Sequence, residues 1–149
     1  AMSTVRTLAW ALTLAGALPF LIATVLLYAS DTARIRVPAI TALVTYSAVI
    51  LSFLGGIQWG LALRDDPATE HGRAQALGWS VIPSLAAWGV LWLPSSLSQV
   101  VGAAFVLVCA WGADVHFSRR GIVPGWFLVL RTTITALVGA ILLAAAARL

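Results

Sequence analysis

Residues 109–131 read Cys109-Ala-Trp-Gly-Ala-Asp-Val-His-Phe-Ser-Arg-Arg-Gly-Ile-Val-Pro-Gly-Trp-Phe-Leu-Val-Leu-Arg131. One apolar run ends in this stretch, two arginines and a glycine turn the chain, and a second apolar run begins at Pro124. Each run approaches the roughly 20 residues a membrane helix needs. So short a connection makes the two helices antiparallel neighbours. Yet Asp114 closes the first run and Arg131 interrupts the second. An unpaired charge in hydrocarbon costs from about 2.5 to more than 10 kcal/mol, so both residues require an explanation.

The rest of the chain supports the membrane reading. Apolar residues make up 61% and charged residues 9%, and mean hydropathy is +0.99. A soluble domain carries about 25% charged residues, so this chain cannot cover a water-facing surface. The net charge of +4 comes from arginine alone. The arginines sit in short loops, the pattern of the positive-inside rule, and give no reason to expect nucleic acid. Cys109 is the one cysteine, which excludes an internal disulfide and a cysteine-pair metal site. No cleavable signal peptide is expected. Ala1 before Met2 reads as a protease remnant, so residues 2–149 are taken as a single domain.

Five apolar runs follow one another at about 7–29, 37–63, 75–93, 97–117 and 124–147. The fold class is therefore all-α: a polytopic membrane helical bundle with five transmembrane helices. Pro124 is expected at the first helical position of the fifth. Arg6, Arg64, Arg73, Arg119 and Arg120 fall on one side, and Arg34, Arg36 and Arg148 on the other. This asymmetry predicts a cytoplasmic N-terminus and an external C-terminus.

That topology puts four polar residues in register. Gln58 precedes Arg64 by six residues, Ser80 follows Arg73 by seven, Asp114 precedes Arg119 by five, and Arg131 follows Pro124 by seven. All four fall roughly 8–10 Å inside the cytoplasmic boundary at the helical rise per residue. Asp114 and Arg131 can then neutralise each other, with the guanidinium fork holding the carboxylate by two hydrogen bonds. Three roles stay open for the pair: fixing helix register, snorkelling to the interface, or forming a ligand or proton site. Pro83 cannot donate to the carbonyl of Trp79, nor Pro19 to that of Ala15, so each frees a carbonyl or kinks a helix.

Span two carries Ser52, Gly56 and Gly60 at four-residue spacing, with Gly55 beside them. Such a stripe lets another helix approach closely. Trp10, Trp59, Trp79, Trp111 and Trp126 fall in the cytoplasmic half, as an interfacial belt or as the walls of an aromatic pocket. Asp65, Asp66, Glu70 and His71 cluster in the second loop without specific ligand spacing and read as a solvated loop. His116 reads as an interfacial side chain. No catalytic residue, metal site or cofactor is expected.

Ala15-Gly-Ala-Leu-Pro-Phe20, Tyr46 with Leu51-Ser-Phe-Leu-Gly-Gly-Ile-Gln-Trp-Gly60, Gly78-Trp-Ser-Val-Ile-Pro-Ser84, and Pro124-Gly-Trp-Phe with Leu130-Arg131 together resemble the transmembrane protein 69 family. The resemblance covers nearly the whole chain. It implies a multi-span protein of bacterial inner membranes, with eukaryotic relatives tied to mitochondria, and implies no catalytic residue.

Two functional readings lead. In the first, Gln58, Trp59, Trp79, Ser80, Trp111, Asp114 and Arg131 form an intramembrane site of a ligand-binding or carrier protein, for a lipid, quinone or small anion. In the second, the chain is a non-enzymatic assembly or accessory subunit of a larger respiratory-type complex, or a homo-oligomer. Ser52, Gly55, Gly56, Gly60 and Pro83 then make the helix contacts. A membrane enzyme acting on a lipid-like substrate is a third reading, without a motif to support it.

Overall fold

A computed structural model describes residues 3–149, and the reading of Ala1–Met2 lies outside the described residues. Long apolar runs leave the backbone no polar partner but itself, and helices result. They are α1 (Thr4–Ala15), α2 (Leu18–Ala29), α3 (Ala33–Ala62), α4 (Glu70–Trp79), α5 (Ile82–Val90), α6 (Ser96–Arg119) and α7 (Gly125–Ala146). A short 3-10 turn, Pro67–Thr69, leads into α4. No strand occurs among the described residues.

Local signals set the boundaries. Ser3 caps α1 by accepting from the Arg6 amide, and Ser95 and Ser98 form a reciprocal capping box at the start of α6. Pro124 is extended, with ψ 142°, and takes the N-cap of α7 rather than its first helical position. α3, the expected second span, begins at Ala33, a turn before the expected 37, and accommodates Pro38 inside it.

Among the described residues four segments are long and apolar enough to cross a membrane: Thr4–Ala29, Ala33–Ala62, Ser96–Arg119 and Gly125–Ala146. The expected third span, 75–93, is not one helix. It is α4 and α5, broken at Ser80–Val81, and neither half is long enough alone. Pro83 is the cause, because its nitrogen has no hydrogen for the Trp79 carbonyl. Together the two halves run roughly 30 Å from Glu70 to Val90 at the helical rise. The chain therefore traverses the bundle five times. The first traverse is also broken, at Gly16–Ala17 just before Pro19. There the Tyr46 hydroxyl donates to the Gly16 carbonyl at 2.8 Å.

α3 is central and packs against α2, α4, α5 and α6. α7 lies between α6 and α2. Two apolar clusters result. The larger includes Phe20, Leu27, Leu43, Leu51, Ala87, Val100, Leu107, Val138 and Leu142. The smaller is Ala62, Ala76, Phe117, Ile122 and Val123. The smaller cluster draws on α3, α4, α6 and the start of the α7 region, and α1 adds nothing to it: no residue of α1 is buried.

Arginines tie both ends. At one end Arg36 donates to the carbonyls of Leu27 and Arg148, and Arg148 donates to Leu27 and to Asp31. At the other, Arg64 donates to the Ile122 carbonyl, Arg73 to the Ala62 and Arg64 carbonyls, and Arg120 to Gln75. Several of these acceptors are the carbonyls a helix leaves unpaired at its C-terminus, the negative end of its dipole. Arg6 lies over the Trp126 ring, 5.2 Å from its centroid. The N-terminus, the 64–73 loop and the 119–124 turn thus share one end, and Asp31 and the C-terminus share the other.

Candidate functional site

Between the two apolar clusters lies a polar layer. On α3 the larger cluster ends near Leu54 and the smaller begins at Leu61, with Gly55 and Gln58 between them. On α6 the larger cluster ends at Leu107 and Asp114 sits at the edge of the smaller one, between Ala113 and Phe117; on α7 the gap holds Arg131, and at the α4–α5 break it holds Ser80. Gln58, Ser80, Asp114 and Arg131 are all buried.

Three of these side chains form one connected unit. The Arg131 Nε donates to Asp114 Oδ2 at 2.7 Å. The Gln58 amide donates to Asp114 Oδ1 at 3.3 Å. Asp114 thus accepts at both oxygens from two different helices. The expected two-bond fork is not formed: Arg131 holds the carboxylate through Nε alone. Its terminal nitrogens, Nη1 and Nη2, are buried and find no acceptor among the described residues, and the hydroxyl of Thr135 one turn further along α7 has no partner among them either. The Arg131 side chain is only 4% exposed, so snorkelling does not satisfy these donors.

The other expected site residues are placed as follows. Ser80 joins the layer through its backbone, and its hydroxyl donates back to the Leu77 carbonyl at 2.6 Å. Trp111 turns aside, its indole N–H donating to Thr132 Oγ1 at 2.9 Å. Trp79 has a buried indole N–H without a partner. It lines a groove between α4 and α6 with Gln75, Ile82, Cys109, Ala113 and His116. Trp59 is half exposed on the outer surface of α3, beside a shallow groove that runs to Ser80 and Ser84. Asp66 caps the 3-10 turn by accepting from the Ala68 amide.

The helix-packing stripe falls one residue away from its expected place. A Cβ on Gly56 or Gly60 meets nothing within 4 Å, and Ser52 is exposed. The close contact is at Gly55, where a Cβ would lie 2.4 Å from the Ser80 carbonyl oxygen. Adjacent glycines point about 100° apart on a helix, so only one of the pair can face α5. Pro83 is buried beside this contact, at the start of α5.

The family described as "Protein of unknown function (DUF3429)" matches residues 5–147. The chain belongs to this family. Transmembrane protein 69 of Xenopus tropicalis is 31% identical over 124 residues, which cover 82% of this chain and 47% of that relative. The chain therefore spans about half the length of this relative. No solved structure matches it.

The segments that carry the family resemblance meet one another in space. Gly16 of the first accepts from Tyr46, Gly55 of the second presses on Ser80 of the third, and Gln58 reaches the carboxylate that Arg131 of the fourth also holds. Asp114, which joins Gln58 to Arg131, lies outside those segments. The sequence carries no signal for Tyr46 as an anchor of the α1–α2 break, because nothing in its own span marks a carbonyl thirty residues upstream.

Proposed function

We propose that this protein binds a small molecule within the membrane at the Gln58–Asp114–Arg131 unit. The observation that carries the reading is the pair of buried, unpartnered Arg131 nitrogens. A purely structural ion pair reaches its best energy when every donor is used, because a buried donor without an acceptor costs about 1–3 kcal/mol. Arg131 instead spends one nitrogen on Asp114 and keeps its outer edge free. Trp79, with its own unpartnered indole N–H, lies one residue before Ser80 on α4 and lines a separate groove against Cys109, Ala113 and His116 of α6. The N-terminus, the 64–73 loop and the 119–124 turn face the cytoplasm, and the compartment is the bacterial inner membrane. Five loop arginines at that end against three at the other support this orientation.

Extraction of the purified protein and mass spectrometry of the small molecules retained tests the reading. The Asp114→Asn/Arg131→Gln double variant should lose at least one compound that the parent keeps. Identical extracts from both would refute it.

A second reading, an accessory subunit, rests on a different surface. Ser52, Gly56 and Gly60 leave a narrow strip of α3 open toward lipid, where another helix can lie close. Cysteine crosslinking from position 56 in native membranes checks it. A discrete crosslinked product favours the subunit reading, and none removes it.

A further inference from the structure

Resting on the binding site just proposed, we infer that its ligand is a neutral, lipid-dissolved molecule that presents a carbonyl oxygen to Arg131, rather than an anion. Charge is the first reason. Asp114 already lies against the guanidinium, with Nε to Oδ2 at 2.7 Å. The described layer holds no second cation: Gln58 and Ser80, its other members, are neutral. A phosphate or carboxylate at Nη1 and Nη2 would bring net negative charge beside Asp114, between two apolar clusters where repulsion is weakly screened. A carbonyl oxygen accepts from the same two nitrogens and leaves the site neutral.

Hydrogen-bond chemistry is the second reason. Guanidinium nitrogens and an indole N–H only donate. The unpartnered set at this depth is the Arg131 terminal nitrogens and the Trp79 indole, with the Thr135 hydroxyl able to do either. A site rich in spare donors selects an acceptor.

Access is the third. α2 buries Phe20, Ala23, Thr24 and Leu27 against the bundle, whereas α1 buries nothing and touches mainly α7. α1 runs beside the half of α7 that carries Arg131, since Arg6 sits over Trp126. A break at Gly16–Ala17 joins it to the packed α2. Moving α1 therefore exposes the α7 side to lipid at small packing loss, so a ligand arrives from the bilayer. Quinone rings and lipid esters both bring carbonyl oxygens by that route.

The test uses the full chain in nanodiscs of ether-linked phosphatidylcholine, which has no ester carbonyls. A decyl-benzoquinone is titrated and followed by tryptophan quenching, with decanoate and inorganic phosphate as competing anions. The control is Arg131→Lys. Its ammonium can still pair with Asp114 but lacks the planar fork with two spare nitrogens. Saturable quinone binding, weakened at least tenfold by Arg131→Lys and untouched by the anions, is expected. A lipid ester as the natural ligand would appear as a higher melting temperature of the parent, but not of Arg131→Lys, in diacyl than in ether-lipid discs. Saturable binding of decanoate or phosphate without either carbonyl effect overturns the inference and leaves the binding site standing. Binding of none of the probes, with no diacyl effect, overturns the inference; the retained-compound comparison then decides the site by itself. If Arg131→Lys melts well below the parent, the Asp114→Asn/Arg131→Gln variant replaces it, with the same expectations.

Discussion

The buried arginine on α7 and the two arginines at the far end of the bundle use the same group differently. Arg36 and Arg148 spread their nitrogens over helix-terminal carbonyls and Asp31, partly exposed to solvent. Arg148 also stacks on the Tyr28 ring, 5.2 Å from its centroid, and the Tyr28 hydroxyl donates to the Ala144 carbonyl. That arrangement closes a helix end and holds the C-terminus to the first loop. Arg131 is almost wholly buried, pairs through one nitrogen and leaves two unused. Arg36 and Arg148 place donors on the chain's own carbonyls and on Asp31, where water also reaches them. An arginine kept short of acceptors in hydrocarbon is suited to something that the chain does not supply.

The comparison requires that the two ends lie on opposite sides of a membrane. Single cysteines at Ser3, Thr69 and Ser118, in a Cys109→Ala background, should all react with an impermeant reagent from the cytoplasmic side, and one at Thr32 only from the other. This is an all-or-none outcome in sealed vesicles. Opposite accessibility of Thr69 and Ser118 would end the five-pass topology.

Next in size is the charge unit. Asp114→Asn or Arg131→Gln alone should destabilise by about 3–5 kcal/mol, because each leaves an uncompensated buried charge. The double variant should recover much of that loss. Unfolding in detergent across the four proteins gives the coupling, and strictly additive losses would show that the pair does not act as a unit.

The helix contact under the polar layer comes third. Gly55→Ala should cost about 1–3 kcal/mol, since its methyl meets the Ser80 carbonyl, a backbone atom that cannot swing aside. Gly56→Ala should be neutral or stabilising by up to about 1 kcal/mol from helix propensity. Equal melting shifts at the two positions would place α5 elsewhere. The smallest effect belongs to the far end. Arg36→Gln or Arg148→Gln should cost about 0.5–1.5 kcal/mol per lost hydrogen bond, with no change in the compounds the protein retains. A loss as large as that of Arg131→Gln would erase the distinction between the two sites.

Much of this molecule is determined by composition and spacing. Five apolar runs with arginine-bearing loops leave helices as the one way to satisfy the backbone in lipid, and counting residues from the loops is enough to bring Gln58, Ser80, Asp114 and Arg131 to one depth. Depth along an axis is a one-dimensional quantity, so the sequence contains it. Rotation about that axis is not. Whether Gly55 or Gly56 faces α5, whether Trp111 looks at Asp114 or at Thr132, and whether Arg131 meets its acid by one nitrogen or two depend on how each helix is turned. In a chain apolar on nearly every face, no hydrophobic stripe reveals that turn. Only the packing of α3 against α5 and of α6 against α7 decided it, through a backbone approach at Ser80 that no side chain could tolerate. The same packing left the outer edge of Arg131 without a partner.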